Sequence, residues 1–551
     1  MTALSKQRAK RFGAYYTDER IADFLVRYAL RSAQDTVIDP SFGGGVFLEA
    51  AARRLKTLGG SVKQVYGVEL DEAVHGQVSY ELQMLYGFRA KNLIYSDFFQ
   101  LKPKQLPLLD AVVGNPPFIR YQSFNGDGRE AALAHMKAKG VALNSLASSW
   151  AAFLVQSVTL LKKGGRLAMV VPMELGHASY ARPVFDYLTR SFTHLTLLTF
   201  KEPLFPDLSQ DTLLLLAENK QHNDATVRHL DLESLESLES LTEAKLKQAQ
   251  TIDAKAIISG KEKLNFYFLS EYAQRLYKRL MTQSIRLGEV ANVGIGYVTG
   301  ANDFFHLSQQ EAKSWRLNEN VLKPAVYKGS AFKGLYFTEQ DWRSAEAEKS
   351  AGFLFYPQGI KLSKAVNTYI AHGEEQAKHT TYKCRTRSPW YVVPHIYQAD
   401  GFLTYMNGLR SQFVVNEAKA VAPNTLHLVR LHKDSPLSTT DLAVLWQTSF
   451  TALSVELEGH ALGGGMLKLE PNEAKSVLLP CLSSTKKLKP LAKKIDKLLH
   501  EKKPELATQL ADDIILGELL QLSKIDIETL KESAELLRNR RYYRYKRSNF
   551  S

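Results

Sequence analysis

Cysteine is almost missing from this chain: Cys384 and Cys481 are the only two in 551 residues. They lie far apart and give neither a disulfide framework nor a metal-ligand spacing, so a reducing compartment and no structural metal are expected. No HExxH run and no Cys/His cluster is present either, which argues against zinc-dependent hydrolysis. Long apolar runs are absent, none approaching the roughly 20 residues that span a bilayer. The opening MTALSKQRAKRFG lacks the apolar core of a secretory signal. No membrane association is expected, and the expected location is cytoplasmic. Acidic residues are in deficit: 57 Asp plus Glu face 71 Lys plus Arg, for a formal net charge of +14. That excess is more than solubility needs and suits a polyanionic partner. Hydrophobic residues at 45% and charged residues at 23% are those of an ordinary globular protein. The length allows two or three domains at about 100–200 residues each.

Residues 1–219 alternate short apolar runs with helical patterns. TVIDP, QVYGVEL, NLIYSDFF, LDAVVGN, RLAMVVP and TLLLLAEN read as strands, with helix-like stretches such as VFLEAAARRLKTL between several of them. Such alternation predicts a mostly parallel, doubly wound α/β sheet, whose ligands bind at the carboxyl ends of the strands. The leucine and glutamate repeat LDLESLESLESL reads as a solvated helix or connector between domains. From residue 264 to 480 the chain is rich in tyrosine, glycine, histidine and basic residues, which predicts an irregular mixed domain. From residue 483 it turns helical and charged, ending in the basic, tyrosine-laced run LLRNRRYYRYKRSNFS. That run suits phosphate contact and base stacking, and equally a solvated tail.

Chemistry concentrates where the strands end. Asp39 opens DPSFGGG, in which Gly43 and Gly45 let backbone approach a ligand closely. Leu48 stands where a dinucleotide fingerprint has its third glycine, so a nucleoside without a pyrophosphate fits better than NAD. Glu69 ends the next strand, about 20 residues on, where an acid can bind both ribose hydroxyls. Asp97 ends the third, placed to accept from an adenine amine with Phe98 against the ring. AVVGN then runs into Asn115-Pro116-Pro117-Phe118. Two prolines halt sheet pairing because neither has an N–H. The Asn115 side-chain oxygen and the Pro116 carbonyl can each accept one proton of an exocyclic amine, and Phe118 can stack on the ring that bears it. Taken alone, a proline-capped strand end explains Asn-Pro-Pro as well.

The ordered set DP-SFGGG, Glu, Asp-Phe, NPPF resembles the gamma-class adenine-N6 DNA methyltransferases of the TaqI type. GAYYT at 13–17, ahead of a helical stretch, looks like that family's amino-terminal cofactor motif, and LKKGGRLAMVVP like its later strand motif. VGIGYVTGANDFF and ALGGGMLKLEPNEAKSVLLP are similar to segments bounding its target-recognition domain. NPPF by itself is shared with protein-glutamine and rRNA-guanine methyltransferases, and the family more often has tyrosine at Phe118. The resemblance implies a Rossmann-like methyltransferase domain over 1–255, a mixed α+β target-recognition domain over 256–480 and a helical basic segment over 481–551. It implies S-adenosylmethionine as cofactor, held by Tyr16, Thr17, Asp39, Gly43, Gly45, Glu69, Asp97, Phe98, Asn115 and Pro117. It implies catalysis by Asn115, Pro116 and Phe118, with Phe205 stacking on the other face of a flipped adenine. Double-stranded DNA is the implied partner, with a separately encoded restriction endonuclease as companion. Oligomeric state is not fixed, a monomer being the simpler reading. In the second domain, Lys383, Arg385 and Arg387 are expected at phosphates, and Tyr297, Thr299, Asn302 and Asp303 near DNA. An RNA methyltransferase acting on an amino group, or a silent DNA-binding subunit, are the competing readings.

Overall fold

The computed structural model describes residues 17–101, 106–119, 127–142, 148–205, 211–221, 224–359, 361–462 and 465–548. They form two compact units, Met1–Phe268 (with Lys546–Ser551) and Leu269–Tyr545.

In the first unit the strands are β1 (Val37–Asp39), β2 (Val65–Glu69), β3 (Leu93–Tyr95), β4 (Leu109–Gly114), β5 (Leu161–Pro172), β6 (Phe192–Phe200), β7 (Thr212–Lys220), β8 (Thr226–Leu232) and β9 (Gln250–Thr251). They make one nine-stranded sheet in the order 3-2-1-4-5-7-6-8-9. Strands β1 to β5 pair parallel, whereas β7 runs antiparallel between β5 and β6. The order reverses between β1 and β4, so the crevice of this sheet opens beyond Asp39 and Gly114. All six apolar runs expected as strands are strands, and β6, β8 and β9 add to them.

Helix placement follows from local caps. Helix α1 (Glu19–Ala29) starts at Asp18, whose carboxylate accepts the Arg20 amide at 2.9 Å. Helix α2 (Val46–Leu58) starts at Gly45, held at φ +84°, a conformation costly for any other residue. Helix α3 (Glu72–Tyr86) starts at Asp71, which accepts the Ala73 and Val74 amides at 3.0 and 3.1 Å. Buried side chains of α1 and α2, among them Ile21, Phe24, Leu25, Phe47, Leu48 and Leu55, join sheet residues such as Val113, Val170 and Leu214 in one core.

The leucine repeat is not a connector between the units. Residues Leu235–Leu238 form a 3-10 turn, and Leu238, Leu241 and Leu246 are buried in the first unit's core. Leu235 and Leu238, three residues apart, share one face of that turn, and both pack on the core that Leu241 and Leu246 enter further along the chain.

The second unit carries a five-stranded sheet (Ala291–Ile295, Leu426–Leu431, Gly401–Thr404, Phe413–Asn416, Tyr336–Phe337) and smaller three-stranded sheets, then helices Leu488–His500, Pro504–Ala511 and Lys524–Ser548. Among the described residues no helix is long and apolar enough to cross a membrane.

Candidate active site

The glycine turn and the acids gather at one edge of the first sheet. Glu69 spans the turn between β1 and α2. One carboxylate oxygen accepts the Gly43 amide at 2.9 Å, and the other accepts the Leu70 and Asp71 amides at 2.8 Å each. Asp39 is 1% exposed, and its Oδ1 accepts the Ser41 amide at 3.0 Å. Burial pushes its carboxyl up to about 8; the Ser41 hydrogen bond opposes the rise and the Glu69 charge adds to it. No cation among the described residues pairs with Asp39 or Glu69. Gly114, at the end of β4, lies so close that a Cβ there would sit 2.9 Å from Asp39 Oδ1.

Packing beneath this turn explains the missing third glycine. A Cβ on Gly67 of β2 would meet Phe42 Cδ1 at 2.7 Å and Leu48 Cδ1 at 2.9 Å. The space that a helix glycine would provide is supplied by the strand instead, and Leu48 fills it.

At the end of β3, Asp97 caps a short 3-10 turn and accepts the Phe99 amide at 2.9 Å through Oδ1. Phe98 turns inward: it is 2% exposed and stacks on Phe153 with ring centroids 5.1 Å apart. Among the described large apolar side chains at this edge, Leu70 and Tyr95 are exposed, 56% and 53% accessible. Sequence reasoning passed over both. An apolar residue directly after a strand-end acid was the available signal, and Leu70 provides it.

Beyond β4, Asn115 Nδ2 lies 3.2 Å from Thr17 Oγ1, just ahead of α1. With the hydroxyl accepting from the amide nitrogen, the amide oxygen is turned away and is the free acceptor. Among the described residues no donor reaches Asn115 Oδ1 or the Pro116 carbonyl. Phe118 is half-buried against the core cluster. Phe205, 9% exposed, belongs to that same cluster. Tyr16 lies outside the described residues. Asp39, Gly43, Gly45 and Glu69 meet on one side of the β1/β4 crevice, and Thr17 and Asn115 meet at the end of β4.

In the second unit the expected DNA neighbours divide. Tyr297 and Thr299 are 3% and 2% exposed, hence interior. Asn302 and Asp303 are exposed, and Asp303 pairs with Lys378. Arg387 is spent on structure, donating to the Thr299 carbonyl at 2.7 Å and to that of Val298. Lys383 and Arg385 remain exposed, each about the ring of the exposed Tyr382 at 5.5 Å, with no carboxylate partner among the described residues. Near the carboxyl end, Arg541 is not a phosphate contact: it is buried and paired with Glu456, Nη2 to Oε1 at 2.9 Å.

A doubly wound sheet with β7 reversed between β5 and β6, a carboxylate-lined glycine turn and an Asn-Pro-Pro-Phe corner at the strand-order switch defines the class of Rossmann-like methyltransferases. Residues 1–268 match the N-6 DNA Methylase family and residues 261–516 match the C-terminal domain of Type II methyltransferase M.Eco57I. The N-6 DNA methylase match thus falls on the first unit of the chain. The chain is 24% identical over 478 residues to Type II methyltransferase M.AccI of Acinetobacter calcoaceticus, covering 86% of each chain. It is 23% identical over 492 residues to Type II methyltransferase M.XamI of Xanthomonas campestris pv. amaranthicola, covering 87% of this chain and 86% of the relative. In fold it resembles the type IIL restriction-modification enzyme MmeI, solved in complex with DNA, with a TM-score of 0.57 and 13% identity over 98% of this chain and 80% of that one.

Proposed function

We propose that this protein methylates the N6 amine of adenine at a specific site in duplex DNA, as the modification enzyme of a restriction-modification system, using S-adenosylmethionine. The observation that carries the reading is the Asn115 amide, its nitrogen held by Thr17 and its oxygen free, across the crevice from a glycine turn lined with carboxylates. The residues present fit the cofactor. A buried carboxylate without a cation partner, beside a second one, favours a positively charged ligand and repels a pyrophosphate. Asp39, Gly43, Gly45 and Glu69 would hold it, with Asp97 at the adenine end and Leu70 exposed beside them. When bound, S-adenosylmethionine supplies a methyl group already activated on a sulfonium.

The chain's own contribution concerns the amine. An adenine amine is a poor nucleophile, because its lone pair is shared with the ring. Asn115 Oδ1 and the Pro116 carbonyl accept its protons and so favour a pyramidal nitrogen with a localised pair. Those bonds strengthen as positive charge grows on the nitrogen, and they therefore lower the barrier more than they stabilise the bound substrate. The amine is inaccessible inside a duplex, so the base must leave the stack at a cost of a few kcal/mol. Phe118 offsets part of that cost by stacking at about 1–3 kcal/mol. A base on Phe118 would meet Phe205 of the same apolar cluster. The second unit supplies sequence choice, with Lys383, Arg385 and Tyr382 as backbone contacts. A restriction endonuclease encoded separately would be its functional counterpart.

Single-molecule sequencing of DNA from cells expressing the protein tests this directly. N6-methyladenine at one recurring motif, lost on Asn115→Ala, is expected. Methylation of RNA alone, or of another base, would overturn it.

A further inference from the structure

Ser149 makes a set of contacts that its position at the start of a helix does not require. Its hydroxyl donates to the Pro117 carbonyl and accepts the Ile119 amide at 3.0 Å. Its own amide donates to the Ile119 carbonyl at 3.1 Å. It is fully buried and opens the helix Ser149–Leu160, here α5 (α4 being Asp127–Ala138), whose residues Ser149 to Val158 are all buried. The Pro117 carbonyl and the Ile119 amide belong to the peptide groups on either side of Phe118. One hydroxyl therefore fixes both backbone torsions of Phe118, and with them the direction of its ring.

The anchor itself is braced. Trp150, next in sequence and fully buried, donates from Nε1 to Tyr180 Oη at 3.2 Å, and Tyr180 donates to Glu174 just beyond β5. The first turn of α5 is thus held to the carboxyl end of the sheet from below while Ser149 holds the corner from above. Only a hydroxyl of this size can donate to one peptide and accept from the other at a single buried point.

We infer that Ser149 is a positioning residue for methyl transfer, acting through Phe118 to aim the ring on which the extruded base stacks. The inference rests on the reading of the corner given above, and the experiment separates the two. Unmethylated phage DNA and labelled S-adenosylmethionine serve as substrates, with S-adenosylhomocysteine as the calorimetric probe. If the wild-type protein transfers no methyl to DNA, the reading of the corner fails. If it does, Ser149→Ala should lower kcat on the order of 10–100-fold, the scale of a sub-ångström to ångström misplacement, with S-adenosylhomocysteine affinity unchanged within about 2-fold. Ser149→Cys keeps the volume and loses the strong hydrogen bonds, so it should lose rate as well and remain folded. Phe118→Ala with Ser149→Ala should be little worse than Phe118→Ala alone, because residues acting as one unit are not additive. A Cys variant as fast as wild type would reduce Ser149 to packing. Fully multiplicative losses in the double variant would show that it does not act through Phe118. Either result overturns the inference.

Discussion

An amide side chain presents two nearly isosteric ends, one donating and one accepting, and Asn115 is useful to an amine only with the oxygen forward. Thr17 Oγ1 anchors the nitrogen end at 3.2 Å and leaves the oxygen forward. Thr17→Val should therefore cut kcat by roughly 10-fold, since the amide becomes free to turn, whereas Asn115→Ala should cost about 10²–10³ by analogy with lost oxyanion-hole donors. Steady-state methylation of DNA by the two variants measures both. Asp39 gives a pH signature. Its carboxyl, raised to about 8 by burial, is largely protonated in the free protein at neutral pH. A cationic ligand needs it ionised, so binding should expel a proton and tighten as pH rises to about 8. Calorimetry of S-adenosylhomocysteine or S-adenosylmethionine in buffers of different ionisation enthalpy reads that proton, and Asp39→Asn should abolish it. The same group makes the free protein less stable as pH climbs from its ordinary 3.8 toward 8, because the folded state holds the extra proton across that window.

Between elements, the fit of α2 on β2 is set by Gly67. Gly67→Ala would bring a methyl within 2.7 Å of Phe42 and 2.9 Å of Leu48. Overpacking of this kind costs about 1–3 kcal/mol. Thermal unfolding should register that loss, and cofactor affinity should fall with it because Phe42 adjoins Gly43. Phe205→Ala should leave a void in the core shared with Phe118 and destabilise the protein by about 3 kcal/mol. A melting temperature equal to wild type would mean that this ring contributes nothing to the core. Legibility differed sharply between strands. β4 and β5 announce themselves as apolar runs closed by proline or glycine. β6 does not: it begins at Phe192, directly after the helix Arg182–Ser191, with no turn residue between, and carries threonines through its middle. Its burial comes from pairing with β7 and β8, which no local pattern encodes.

For the molecule as a whole, a net charge of +14 predicts steep salt dependence of DNA binding, through counterion release. Lys383→Glu and Arg385→Glu should each weaken binding across all sequences and lower the slope of log affinity against log salt by about 1. Arg387→Glu should instead perturb the fold, since that guanidinium holds backbone carbonyls. Fluorescence anisotropy over a salt series distinguishes the outcomes. The sequence alone determined the strand-end chemistry, because glycine, proline, acid and amide act through their own bonds to the neighbouring backbone. It also marked the first five strands one by one, since each carries its own motif, whereas their 3-2-1-4-5 order in the sheet came from the tertiary structure. Tertiary structure alone decided which candidate side chains face outward. Phe98, Phe205, Tyr297, Thr299 and Arg541 share composition and context with exposed residues, yet all are buried. It alone also brought Thr17 to Asn115, and Ser149 to both sides of Phe118, because contacts between residues distant in the chain depend on how helices close over the sheet.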